Sequence, residues 1–398
     1  MNPKERRIFI TLFMSIFSAV TGVGIVIPLL PVYAHELGAS GLYISMIFGA
    51  FSISRTLVLP WFGKTSDRIG RKPFILPGLL FYALVSLGFM LSSSVGSLIG
   101  LRFLQGIASG MIMPVAQAYV GDITPKGKEG YYMGLFSMAM FLSLSMGPFM
   151  GGFINRLYGL DAAFLGMGVL AVAAFVMALA FLPPVAEEKS STSRNESIAV
   201  MGLLKDRLIL ALVSFRMVYT TCVGMIWCFL PLYVDVTFGL GSAETGTLVM
   251  VMVLAGGLLH IPMGVVADRM NRKLLVAVGG VFIVGSMVLC HQATGFYSLL
   301  AAVIVFGIGG GTSLPALSAL AVERGREIRG IGSVMSLLTM AHSLGMLLGS
   351  LIAGLTMDLF ELRYAFPMGG LIMAAGLIHF TWLSLPHGQK TRPPAKRG

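Results

Sequence analysis

Charge is scarce in this sequence. Only 11% of its 398 residues are Asp, Glu, Lys or Arg, against about 25% in an ordinary soluble domain, whose surface must be solvated. A chain of this length could not cover a water-facing exterior with so little. The shortage excludes a soluble enzyme, a disordered chain and a nucleic-acid binder as first readings. Cysteine is nearly absent as well: Cys222, Cys228 and Cys290 all fall in apolar runs and read as small buried residues, not as a disulfide framework. There is no ATP-binding loop. No histidine stands with a second His or an acid at metal-ligand spacing, so neither cofactor nor metal is expected. The seventeen acids supply the most informative gap, because each falls in a loop, a tail or a helix end.

What the chain has in abundance is apolar length, with 56% hydrophobic residues and a mean hydropathy of +0.87. A membrane-crossing helix needs about 20 mainly apolar residues. Twelve such runs occur, at about 8–33, 42–62, 74–92, 98–120, 131–154, 162–182, 208–234, 243–266, 274–290, 297–321, 331–356 and 364–385. The first is too long for a signal-peptide core and lacks a small-residue cleavage site, so it counts as span 1. The longest connection, 183–207, holds Pro183, Pro184, Glu187, Glu188, Lys189 and a Ser/Thr/Asn stretch and reads as a flexible polar linker. It divides the chain into a six-helix bundle over 1–185, a linker over 186–206 and a second six-helix bundle over 207–398. The predicted class is an all-α integral membrane protein.

The net charge of +11 then records orientation. With the N-terminus inside, the inner segments carry 23 of the 28 Lys and Arg residues, while the outer loops hold only Arg156 and Arg363. Lys and Arg favour the cytoplasmic side, so both termini are expected in the cytoplasm of a cell bearing this protein in its plasma membrane. Arg55, Arg102 and Arg216 are left over, all within spans.

The two halves repeat. Gly63, Asp67, Arg68, Arg71 and Lys72 after span 2 return as Gly264, Asp268, Arg269, Arg272 and Lys273 after span 8, each displaced by 201. The same displacement relates Gly106, Gly110 and Pro114 to Gly307, Gly311 and Pro315. Duplicated halves of six helices are a mark of transporters whose substrate site lies between the repeats. At these residues the chain resembles the major facilitator superfamily. Gly63 to Lys72 matches the family's loop motif at every fixed position, Gly70 included, and the second copy departs only at Asn271. Arg102, Gln105 and Gly106 resemble the span-4 motif. Gly24, Pro28 and Pro31 fit span 1. Gly147, Pro148, Gly151 and Gly152 resemble the span-5 motif of the twelve-span drug:proton antiporter branch, with Ser143 in place of its first glycine.

The resemblance implies that Asp67 docks on the start of span 11, near Gly330 to Ser333, as a conformational latch. A plain positive-inside anchor is the other reading of that loop. For span 5 the resemblance implies a seal between the halves, and ordinary small-residue packing is the alternative. Along span 4, Arg102, Ser109, Met113 and Gln117 recur on one helical face beside Gln105. Lipid does not tolerate such a face, so it should line protein or a wet cavity. Arg55 and Arg216 serve either a cavity or the headgroups, by snorkelling, and Tyr219 and Trp227 add polar and aromatic surface beyond Arg216. With no midspan carboxylate, proton coupling falls to His260, His342 or Asp235 near the outer mouth of span 7. The lone histidines, His379 among them, read equally as packing groups.

The function expected is secondary transport by alternating access, exporting small amphiphilic or organic solutes, with protons as a candidate co-substrate. Its partners are membrane lipids and a small-molecule solute, not nucleic acid, and the chain is expected to be a monomer and not an enzyme. An organic-anion carrier that uses the intramembrane arginines is the nearest alternative. A non-transporting receptor or scaffold of the same fold is the more distant one.

Overall fold

The computed structural model describes residues 3–125, 129–183, 200–328 and 330–384. The first crossing is made by α1 (Pro3–Val26) and α2 (Leu30–Glu36). A turn over residues 27–29 parts them, where Pro28 and Pro31 withhold two backbone donors within four residues. Spans 2 to 6 are α3 (Gly41–Ile69), α4 (Lys72–Met90), α5 (Val95–Ile123), α6 (Glu129–Tyr158) and α7 (Leu160–Phe181). After the short α8 (Val200–Leu203), spans 7 to 12 are α9 (Arg207–Phe238), α10 (Ser242–Arg269), α11 (Arg272–His291), α12 (Phe296–Glu327), α13 (Ile331–Leu359) and α14 (Ala365–Ser384). Twelve helices among the described residues are long and apolar enough to cross a membrane.

Three boundaries differ from the sequence reading. The α9 helix runs on to Phe238 and ends at Gly239, whose φ of +62° gives the left-handed stop. Asp235 therefore sits inside the helix, near its end, not beyond it. The motif expected in the loop after span 2 is helical as far as Ile69, and its copy as far as Arg269. Most of the linker, residues 184–199, lies outside the described residues. Its end is ordered by Asp206, whose side chain accepts from the backbone N–H of Leu208 and Ile209 at 3.0 and 3.1 Å and so caps α9.

Packing repeats as faithfully as the sequence does. In the first half α1 packs on α6 and α7, α3 on α5, and α4 on α5 and α7. The equivalent pairs recur in the second half: α9 on α13 and α14, α10 on α12, and α11 on α12 and α14. Between the halves the main contacts are α6 with α10 and α3 with α13, which exchange under the same displacement. One buried apolar cluster belongs to each half. A third joins them: Ile25, Leu30, Ile44, Phe48, Phe89 and Phe164 meet Met225, Cys228, Phe229, Leu232 and Ala353. All of these lie towards the end of the bundle opposite Arg71 and Arg272. The halves thus share a core at this far end, while the basic end is the one marked by the motif arginines.

Candidate transport pathway between the halves

The seam at the far end is built from glycines and backbone acceptors. A Cβ on Gly152 would strike the Ser242 carbonyl, and one on Gly354 would strike the carbonyl of Gly41. The two crossings are equivalent under the repeat, and only glycine lets the backbones approach so closely. Ser242 Oγ donates to the Gly152 carbonyl at 2.9 Å, and Ser45 Oγ to the Ser350 carbonyl at 2.6 Å. Asp358 accepts from the N–H of Gly41 and Leu42 at 2.6 and 2.9 Å. Arg156 pairs with Glu244 at 3.3 Å. These bonds between the halves all lie in this half of the bundle.

The span-5 motif divides its work. Gly147 and Gly151 face α1, where a Cβ would meet Gly24 and Ile25, and Ser143 Oγ donates to the Phe17 carbonyl at 3.1 Å. Gly152 and the Pro148 carbonyl face α10, where Gly246 makes room. The motif thus packs within one half and also forms the seam with the other. A shallow pocket of about 160 Å³ opens at this end, lined by Tyr33, Glu36, Asn155, Asp235, Ser242 and Thr245 among others.

Closer to the middle, Arg102 is 3% exposed, with its guanidinium 4.5 Å from the Phe51 ring centroid and 5.1 Å from that of Phe48. Its Nη1 donates to Gln105 Oε1 at 2.6 Å. Gln105, Ser109 and Met113 are buried along the same face of α5, and Gln117 is exposed. Tyr82 of α4 is buried as well.

Towards the basic end, Arg216 Nη2 lies 3.4 Å from His342 Nδ1. The register of α3 on α13, with Ser45 on Ser350 and Gly49 on Leu347, brings Arg55 close to the level of His342. The His260 ring rests 4.9 Å from that of Phe141 across the seam. Tyr219 stacks on Phe306 at 6.0 Å and lies 5.9 Å from the Arg216 guanidinium. Trp227 is half-buried against the core of the second half. Arg55, Arg216, His342 and Tyr219 are therefore one neighbourhood drawn from both halves.

At the basic end, Arg71 Nε meets Asp122 at 3.0 Å, and Arg272 Nη1 meets Glu323 at 2.8 Å. Both members of the pair are displaced by 201. Lys72 donates to the Leu179 and Leu182 carbonyls, and Lys273 to that of Ser384, so each satisfies the open C-terminus of the last helix of its half. Asp268 lies 3.4 Å from Arg272 across one turn. The Asp67 side chain lies outside the described residues, and Arg68 and Arg269 are exposed. Where the copies diverge, Gly70 turns with φ +96°, whereas Asn271 has φ −64° and its side chain accepts from the Lys273 N–H at 3.0 Å. Side-chain capping replaces the left-handed turn. Sequence reasoning missed Asp122, Glu323 and Asp358 because each looked like an ordinary helix-end acid; the shared displacement of Asp122 and Glu323 was the available signal.

A twelve-helix bundle of two repeated halves around such a seam is the architecture of a membrane transporter. The chain belongs to the Major Facilitator Superfamily, whose family model matches residues 12–236 and 212–398. It is similar to the uncharacterized MFS-type transporter MJ1560 of Methanocaldococcus jannaschii, with 27% identity over 96% of this chain and 99% of that one. It is also similar to multidrug resistance protein 2 of Bacillus subtilis, with 27% identity over 94% of each. The structure of the nucleoside transporter NupG superposes with a TM-score of 0.81 at 12% identity, covering 95% of this chain and 100% of that one, which is a likeness of fold. The resemblance to the drug:proton antiporter branch is borne out by the drug-efflux relatives.

Proposed function

We propose that this transporter works by alternating access and exports small amphiphilic organic solutes across the plasma membrane, as a monomer with both termini in the cytoplasm. One observation carries the reading. The halves share an apolar core and hydrogen bonds at the far end, while Arg55, Arg216, His342, His260 and Tyr219 stand along the seam towards the other. A bundle held at one end and polar along its seam is suited to rocking about a midplane solute. Kinship with a multidrug resistance protein supports export and an amphiphilic solute. The loop motif, with Asp67 as its acid, is read as the latch of the opposite state. The buried Arg102 and Gln105 are read as the wall beneath the cavity, with Ser109 and Met113 beside them.

His342 and His260 are the groups we assign to proton coupling, with Asp235 at the far-end pocket as the third candidate. Counterflow in proteoliposomes tests the whole reading: preloaded amphiphile should drive uptake of labelled amphiphile, and an imposed pH gradient should change the net rate. Binding without exchange under any gradient would leave a receptor or scaffold of the same fold.

A further inference from the structure

The neighbourhood of Arg55 and Arg216 bears on the chemistry of the solute. The two arginines come from opposite halves, on α3 and α9: Arg216 Nη2 lies 3.4 Å from His342 Nδ1, and the register of α3 on α13, with Ser45 on Ser350 and Gly49 on Leu347, carries Arg55 close to the level of His342. Neither forms an ion pair among the described residues. Arg55 Nε is buried and has no hydrogen-bond partner. All the acids of the chain lie in loops, tails or helix ends, so no protein carboxylate at this depth offsets the two charges. A buried cation without a counter-charge is costly. A guanidinium is also built for two-pronged recognition of an oxyanion.

We propose that the transported amphiphile carries a carboxylate or sulfonate head, clamped between Arg55 and Arg216, with its apolar body against Tyr219. The inference rests on the transport reading above and narrows it. The anion supplies the missing counter-charge and bridges the two halves, so an occupied seam closes more readily there than an empty one. His342, beside Arg216, contributes a further hydrogen bond to the head. A cationic solute at this site would meet two like charges and no acid. Snorkelling to the headgroups is a weaker account of the same arginines, because Arg216 turns to His342 and Arg55 Nε is enclosed.

The test uses the purified full chain and a matched set of probes: 1-naphthoate, 1-naphthalenesulfonate, 1-naphthylmethylammonium and 1-naphthylmethanol. The two anions should raise the melting temperature saturably, and the ammonium and alcohol should not. Arg55→Gln and Arg216→Gln should each weaken naphthoate about tenfold or more, the size of a lost charge-assisted contact. Arg363→Gln, at an exposed position of the far end, should leave it unchanged. If a glutamine variant aggregates, the Lys variants at both positions keep the charge but lose the fork and should weaken naphthoate several-fold. Equal or tighter binding of the ammonium probe, anion binding indifferent to both arginines, or no response to either anion overturns the proposal. So does stabilisation by phosphatidylglycerol alone, which would return the arginines to the headgroups. Exchange of a cationic or neutral probe with the anions silent loses the clamp but keeps transport; anion binding without exchange does the reverse.

Discussion

Asp358 of α13 caps a helix that belongs to the other half of the molecule: its carboxylate accepts from the first-turn N–H of Gly41, at the start of α3, at 2.6 Å. Ser40, the local cap position, makes no such bond. Within the protein, the first-turn donors of α3 at Gly41 and Leu42 are therefore satisfied by the other half. An anion at that position also gains from the helix dipole.

Removing this cap should loosen the far end without unfolding either half. Asp358→Ala is expected to cost the closed arrangement about 1 kcal/mol, the usual worth of an N-cap, and so to raise opening several-fold. Cys228 lies buried in the shared core and provides the probe. In a background lacking Cys222 and Cys290, maleimide should label it several-fold faster in the variant, and an unchanged rate would show that Asp358 does not hold this end.

Two neighbouring glycines should behave differently. A Cβ on Gly152 meets Ser242 across the seam, whereas one on Gly151 meets Ile25 inside the same half. Gly152→Ala should speed Cys228 labelling and leave the melting temperature little altered. Gly151→Ala should lower the melting temperature, by the equivalent of about 1–3 kcal/mol for an overpacked contact. Identical behaviour of the two would contradict the split assigned to the span-5 motif.

The paired ions at the basic end should matter more for turnover than for stability. Arg71–Asp122 and Arg272–Glu323 are partly solvated, so Asp122→Asn and Glu323→Gln should each change stability by only about 0.2–1 kcal/mol. Both should slow counterflow if they position the motif arginines, and Asp67→Asn should slow it as well while the protein still reaches the membrane. Wild-type exchange rates in all three would remove the latch reading.

Asp206 carries a pH dependence. Burial alone would raise its carboxyl, but hydrogen bonds from Arg324 and from the N–H of Ile209 and Leu208 outweigh that and hold it below the ordinary value of 3.8. The lowered group stabilises the fold fully above that ordinary value, and the contribution fades as pH falls through the lower folded value. Melting temperature measured between pH 7 and pH 3 should therefore fall less in Asp206→Asn, which starts lower, than in the wild type. Parallel curves would show that this carboxylate does not carry the dependence.

Much of the fold was legible in the sequence because its signals are local. Apolar length marked twelve crossings and the 201-residue displacement marked paired halves, whereas the first crossing, broken at residues 27–29, reads there as one continuous run. The site was legible only as residue types. Arg102 and Arg55 look alike as lone intramembrane cations. Yet Arg102 is sealed under Phe48 and Phe51 with Gln105 as partner, while Arg55 Nε is buried without a hydrogen-bond partner. Arg71 and Asp122 stand 51 residues apart in the chain, and no periodicity within either helix pointed to their meeting.

Hydropathy, charge bias and internal repetition thus determined by themselves that the chain crosses a membrane twelve times as two related bundles with one basic end. Only the tertiary structure decided which end the halves share, which neighbour each motif glycine faces, and which arginines stand near one another. The physical reason lies in the solvent. Lipid is as apolar as the side chains it touches, so hydrophobicity places a helix in the bilayer without fixing its rotation about its own axis. That rotation is set by close contacts such as Gly152 on Ser242 and by polar bonds such as Asp358 to Gly41, which exist only once the partner helices are in place.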